Sequence, residues 1–312
     1  MHEHPLRPRR DGRVPSRTER RCDRRRGLNT IPTPSSTVEF AASRGPLVVK
    51  IGGALLESAE AHGEAFDGLV SLHAAHRAQG GGGIVLVHGG GAQVDRQLKL
   101  VGIETPRIEG IRVTSREAID QVVGVLAGSA HVRLLGILAA RGARVVGLTL
   151  SDGGLCACRH TTRYAFDAGE VGEITGGDGA VAHTLLAGGF MPVVNSIGLS
   201  ANGDPLNVNA DEAACAIARI VGASGIVLLT DVAGVLDAHK QLIRELDAAR
   251  IEVLIADGTI SGGMIPKVRG ALEAAAQAGC PATIASWRDP AAIAKGMGGT
   301  RILAPLAEPS RR

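Results

Sequence analysis

Lys50 and Lys267 each stand near a glycine pair, in Lys50-Ile51-Gly52-Gly53 and in Gly262-Gly263-Met264-Ile265-Pro266-Lys267. A third glycine run, His88-Gly89-Gly90-Gly91, lies between them. Phosphate oxygens seek backbone N–H groups at close range and a compact, mobile cation, and residues without a Cβ let the backbone approach. The pattern points to a phosphate site assembled from separate turns. No G-x-x-x-x-G-K-[ST] run occurs, and no G-x-G-x-x-G opens a helix after a strand, so a nucleotide would be held by another design.

Each lysine sits where local stability does not explain it. Lys50 interrupts the apolar run Leu47–Ile51, and a charge there must be paired or project from the strand's carboxyl end, where open α/β sheets bind ligands. Lys267 falls in the first turn of a predicted helix, where a cation opposes the helix dipole. His88-Gly89-Gly90-Gly91 followed by Ala92-Gln93-Val94-Asp95 reads as strand, glycine nest and helix N-terminus, which presents aligned N–H groups to an anion. An H-G-G-G run also builds esterase oxyanion holes, but no serine in this chain lies in G-x-S-x-G, and that reading is set aside.

Three further segments carry candidate groups. Arg112, in a short loop before a helix, has the planar guanidinium suited to a bidentate grip on a carboxylate. Asn207-Val208-Asn209-Ala210-Asp211 supplies three polar side chains where one helix cap suffices, which leaves Asp211 free to orient the lysines. Asp231-Val232-Ala233-Gly234 is a small-residue loop after a strand, suited to nucleotide contact.

The elements that must position these residues are short apolar runs bounded by glycine, at 47–51, 84–88, 144–150, 192–198, 226–230 and 282–285. They read as buried strands. Stretches with helical spacing lie between them, at 58–79, 92–100, 115–141, 178–186, 211–221, 247–256 and 264–278. Alternation of the two means crossover connections and a mainly parallel sheet. Residues 155–177 lack either period and are expected to hold a small hairpin. Val221-Gly222-Ala223-Ser224-Gly225 closes a helix before a new strand, which suggests lobes of residues 45–222 and 223–312.

Composition narrows the function classes. Aromatic residues are 2% of the chain against 45% hydrophobic, so the core is aliphatic, and the composition argues against stacking platforms for single-stranded nucleic acid. The net charge of +3 misleads, because the first 26 residues hold ten arginines against four acidic residues and leave the remainder near −3. A nucleic-acid binder would carry its basic surface on the folded body. Residues 1–44, rich in Arg, Pro, Ser and Thr without apolar periodicity, are expected to be disordered. No apolar run of 18 residues and no leader-like apolar stretch is present, so a cytoplasmic protein without a membrane segment is expected. The five cysteines lack zinc-site spacing and read as free thiols.

Taken in order, K-x-G-G, H-G-G-G, R-V-T, N-x-N-A-D, T-D-V-x-G and G-G-M-x-x-K resemble the amino acid kinase family over a body from about residue 46 to Ala304. Ala285-Ser286-Trp287-Arg288 and Gly299-Thr300-Arg301-Ile302 add to the match. The resemblance implies a three-layer α/β/α sandwich with an open, mainly parallel central sheet of about eight strands, and a homodimer formed through the N-terminal lobe. It implies ATP-dependent phosphorylation of the side-chain carboxylate of N-acetyl-L-glutamate. The alternatives are an N-acetylaminoadipate or carrier-linked substrate, or a silent sensor of amino acid or nucleotide.

Carried onto this chain, the resemblance makes Lys50 and Lys267 stabilise the transferring phosphoryl group, with Asp211 holding both. Gly90, Gly91, Arg112 and Asn207 would bind the acyl substrate. Gly52, Gly53, Asp231, Val232, Ala233, Gly234, Gly262, Gly263 and Met264 would hold ATP. Mg²⁺ would be bound mainly through the nucleotide phosphates, without dedicated protein ligands.

Overall fold

The computed structural model describes residues 45–304 apart from Glu109. The Arg/Pro-rich extension 1–44, expected to be disordered, lies outside the described residues.

The strands in chain order are β1 (Leu47–Ile51), β2 (Ile84–His88), β3 (Arg107–Ile108), β4 (Ile111–Arg112), β5 (Val145–Leu148), β6 (Ala157–His160), β7 (Val171–Gly176), β8 (Met191–Val194), β9 (Ile197–Leu199), β10 (Pro205–Val208), β11 (Gly225–Thr230), β12 (Glu245–Leu246), β13 (Ala282–Ser286) and β14 (Thr300–Ile302). The helices are α1 (Gly53–Glu57), α2 (Gly63–Ala78), α3 (Gly91–Leu100), α4 (Arg116–Val123), α5 (Ala130–Ala139), α6 (Ala180–Ala187), α7 (Ala210–Ile220), α8 (Ala248–Ala256), α9 (Met264–Ala278) and α10 (Pro290–Ala294).

Eight strands form one open sheet in the order β12-β14-β13-β11-β1-β2-β8-β5. Neighbours run parallel except β13 against β14. Both faces are covered. Val48, Val85 and Ile226 pack on one face with Ile217 of α7 and Val268 of α9. Leu47, Val49 and Leu86 pack on the other with Phe66 and Leu69 of α2, Leu134 of α5 and Ile293 of α10. This is the expected three-layer sandwich, and burial on both faces explains why its strands are continuous aliphatic runs.

A smaller sheet, β6-β7-β10-β9, sits apart from the large one. Its β6–β7 pair is the hairpin expected within residues 155–177, and β10 pairs with β7 in parallel. The run predicted as a single strand over 192–198 divides into β8 and β9, one in each sheet, because Asn195 and Ser196 turn the chain between them. Buried Asn195 makes the turn by donating to the Leu148 carbonyl and accepting from the Ile197 N–H.

Two predicted helices are interrupted. The stretch 58–79 starts earlier, as α1, and breaks before α2. The stretch 115–141 contains a π-helical segment, Gly124–Ser129, with Gly128 off helical geometry at φ −102°, ψ −105°. This run is apolar and long enough, over Arg116–Ala139, to cross a membrane by composition. Its Val122, Leu126, Leu134 and Leu138 are buried within the fold.

Candidate active site

The sheet places the two lysines at one end. Lys50 is the fourth residue of β1 and shares a face with Val48, but near the strand's carboxyl end it clears the core. Its Nζ meets the Asp211 carboxylate at 3.0 Å, and its side chain is 18% exposed. Asp211 is held in the first turn of α7, whose N-cap is Asn209. The Asn209 side chain accepts from the N–H groups of Asp211 and Glu212. The helix cap and the lysine partner are thus separate residues two apart.

Lys267 sits in the first turn of α9, and its Nζ donates to Asp231 at 2.9 Å. Asp211 was expected to hold both lysines, but here it holds Lys50 alone. Asp231 follows directly on β11, the neighbour of β1, and is the carboxylate α9 reaches. The Lys267 hydrogen bond keeps Asp231 below the usual carboxylate range.

Two cavities adjoin at the Lys50–Asp211 pair. The first, about 270 Å³, is lined by Lys50, Gly52, Gly53, Gly90, Gly91, Arg112, Asn207 and Asp211 among others. The second, about 370 Å³, is lined by Lys50, Asp211, Leu228, Thr230, Pro266 and Lys267 among others. The N-termini of α1, α3 and α7 all open on the first cavity through Gly53, Gly91 and Ala210. The α3 N-terminus carries no side-chain cap and no acidic residue in its first turn, so with Lys50 it gives the cavity a positive wall suited to an anion.

Arg112 is found on β4 of a small hairpin, not in a loop, and is 7% exposed. Its guanidinium reaches the Asp95 carboxylate at 2.5 Å, the Thr105 hydroxyl at 3.1 Å and the Gly91 carbonyl at 3.0 Å. Arg107, also on the hairpin, bonds Asp95 as well. The carboxyl group of Asp95 is pushed up by burial, but the hydrogen bonds and charge of Arg112 and Arg107 prevail and hold it below the ordinary range. Asn207, on β10, donates to the Thr114 hydroxyl at 3.0 Å.

The remaining predicted residues lie beyond the linings of these two cavities. Val232, Ala233 and Gly234 follow β11. Gly234, at φ 136°, packs beside Thr300, which accepts from the Val235 N–H. Gly262 has φ 52°, Gly263 is the N-cap of α9, and Met264 is its first residue.

The sequence reading missed Arg107, Arg163, Tyr164 and Glu212, all of which line the first cavity. Arg163 lies between β6 and β7 and bridges Glu173 and Glu212, so it ties the small sheet to the first turn of α7. No local motif marks it. Only the packing of the small sheet against α7 brings it to the site.

A family model described as "Amino acid kinase family" matches residues 45–286. The chain belongs to the amino acid kinase family. Among curated members, the acetylglutamate kinase of Pectobacterium carotovorum subsp. carotovorum (strain PC1) is 44% identical over 263 residues, which are 83% of this chain and 99% of that protein. That of Vibrio cholerae serotype O1 is 43% identical over 82% of this chain and 95% of its own. Among solved structures, the N-acetylglutamate synthase of Neisseria gonorrhoeae superposes with a TM-score of 0.67 at 22% identity, over 83% of this chain and 59% of the other. At that identity the likeness is one of fold. In this amino acid kinase fold the expected eight-stranded, mainly parallel sheet is present as described.

Proposed function

We propose that this chain transfers the γ-phosphoryl group of ATP to the side-chain carboxylate of N-acetyl-L-glutamate, forming N-acetyl-L-glutamyl 5-phosphate in arginine biosynthesis. The observation that carries this reading is the pair of cavities joined at Lys50 and Asp211. One is ringed by helix N-termini, and the other contains Lys267. Near 43% identity to acetylglutamate kinases over most of the chain supports the choice of substrate.

A side-chain carboxylate is already ionised at pH 7, so this nucleophile needs no general base. The difficulty is to bring one anion up to another. Gly90 and Gly91 offer N–H groups to the acyl substrate, and Arg112 and Asn207 stand at the same cavity for its α-carboxylate. Lys50 and Lys267 spread positive charge on either side of the transferring phosphoryl group, while Asp211 and Asp231 keep the ammonium groups in place. We assign the loop 231–234 and the turn 262–264 to ATP, residues 45–222 to the acyl-substrate lobe, and residues 223–312 to the nucleotide lobe.

The described residues contain no cluster of three or more His, Cys, Asp or Glu side chains able to cage a cation. We take Mg²⁺ to be held through the phosphate oxygens of the nucleotide. Bound so, the ion would supply charge neutralisation at the nucleotide phosphates. A homodimer in the cytoplasm completes the proposal. Exposed Leu100 and Val101 of the N-terminal lobe supply apolar surface for such an interface.

The test is ADP release with N-acetyl-L-glutamate and MgATP, with hydroxylamine to trap the acyl phosphate. Hydroxamate formation is expected. ATP binding without turnover would sink the proposal.

A further inference from the structure

Behind the glycine turn lie two buried histidines that the chemistry above does not use. His88 closes β2 and is fully buried, and His131 of α5 is 6% exposed. His88 Nδ1 lies 3.0 Å from the carbonyl oxygen of Gly89, and its Nε2 lies 2.8 Å from His131 Nδ1. The rings stack with centroids 5.1 Å apart and planes 21° from parallel. Room for His131 exists because residue 147 on β5 is glycine, where a Cβ would collide with the imidazole.

These contacts permit one arrangement of protons for neutral rings. A carbonyl oxygen only accepts, so His88 Nδ1 carries the hydrogen. Its Nε2 then holds a lone pair and accepts from His131 Nδ1–H.

The consequence reaches the cavity through the peptide bond. A trans peptide is planar, so the Gly89 carbonyl and the Gly90 N–H point in opposite directions. Flanked by glycines on both sides, this peptide has little steric preference of its own against turning over. A flipped peptide would present a carbonyl dipole where the anion binds.

We propose that His88 is a positioning residue for phosphoryl transfer. Its Nδ1–H anchors the Gly89 carbonyl and thereby holds the Gly90 N–H toward the anions in the first cavity, while His131 fixes the His88 tautomer. The proposal rests on the reading that the Gly90 N–H serves the acyl substrate or the phosphoryl group.

The test joins ¹⁵N NMR of the histidine-labelled full chain with kinetics of His88→Asn and His88→Leu. Asparagine keeps an N–H donor near the Nδ1 position, and leucine has none. Wild type is expected to show His88 protonated at Nδ1 and bare at Nε2. His88→Leu is expected to lose about ten- to a hundredfold in kcat, with KM for ATP unchanged. His88→Asn should recover activity to within about threefold of wild type, since it restores the one donor at stake. A His88 protonated at Nε2, or equal losses in the two variants, would overturn the proposal. If His88→Leu does not fold, the wild-type tautomer still decides. Failure of the wild type to form hydroxamate would count against the function proposed above, and the NMR result would stand apart from it.

Discussion

Lys267 and Asp231 form a 2.9 Å ion pair one strand over from the 3.0 Å pair of Lys50 with Asp211. Each lysine thus has its own carboxylate, and the pairs stand at the carboxyl ends of adjacent β11 and β1. Each carboxylate offsets part of the repulsion between the two cations, and the separate pairing separates the effects of the two acids.

Removing either cation should strike the chemical step. Lys50→Ala and Lys267→Ala are each expected to lower kcat by about 10²- to 10³-fold, with a smaller change in KM for N-acetyl-L-glutamate. Because both act on the same phosphoryl group, the double variant should lose less than the product of the single losses. Hydroxamate formation under saturating substrates measures this.

The two carboxylates are predicted to differ. Asp211 pairs with Lys50 where the cavities meet, and the Lys50 side chain is mostly enclosed, so Asp211→Asn should lower kcat by roughly tenfold or more. The two carboxylates are about equally exposed, but Asp231 pairs with a less enclosed lysine, 34% exposed against 18% for Lys50. Asp231→Asn should cost about tenfold at most, and mainly in KM for ATP. Steady-state titrations of each substrate separate the two patterns.

Acid should destabilise this fold through its buried histidines. Burial lowers His88 to about 4 and lowers His73 to about 4, with Arg77 adding to the effect at His73. His73 Nδ1 accepts from the Ile84 N–H, so a charged ring must give up that bond. With the folded values below the unfolded one, the unfolded chain binds more protons between pH 6.5 and 4. Stability is complete above about pH 6.5 and falls as pH drops toward 4, by about 3 kcal/mol from His88 alone. Urea midpoints across that range should follow this slope, and His73→Gln should flatten it.

Glu173 is the anchor of the small sheet. It is 7% exposed and accepts from Arg159 at 2.7 Å and Thr161 at 3.0 Å, with Arg163 at 3.0 Å. Burial pushes its carboxyl up, but the Arg159 and Thr161 hydrogen bonds and the arginine charges bring it below the usual range. Glu173→Gln should destabilise by about 1–3 kcal/mol, seen as a fall in Tm of roughly 2–4 °C per kcal/mol. It should also raise KM for the acyl substrate, since Arg163 lines the first cavity. Calorimetry and initial rates check the two effects independently.

The motifs of the proposed site are readable one by one, because each depends on local chemistry. A glycine turn beside a lysine, a polar cap before a helix and an aliphatic run between glycines are decided within a few residues of chain. Lys50, the His88–Gly91 turn, Asp211 and Lys267 were identified in this way. So were the parallel sheet, whose strands are buried on both faces, and the hairpin within residues 155–177.

What tertiary structure decided is which distant groups meet. Lys267 joins Asp231, not Asp211, because α9 packs against β11 and β13, so its first turn reaches the residue that follows β11. Arg112 turns to Asp95 because a two-stranded hairpin folds back on α3. Arg163 reaches α7 from a sheet that no periodicity announced. Side-chain pairing across 36 or 161 residues of sequence depends on strand order and helix packing, and neither is written in any short window of the chain. Residue type set the chemistry available to the site, and packing of the two sheets chose the partners.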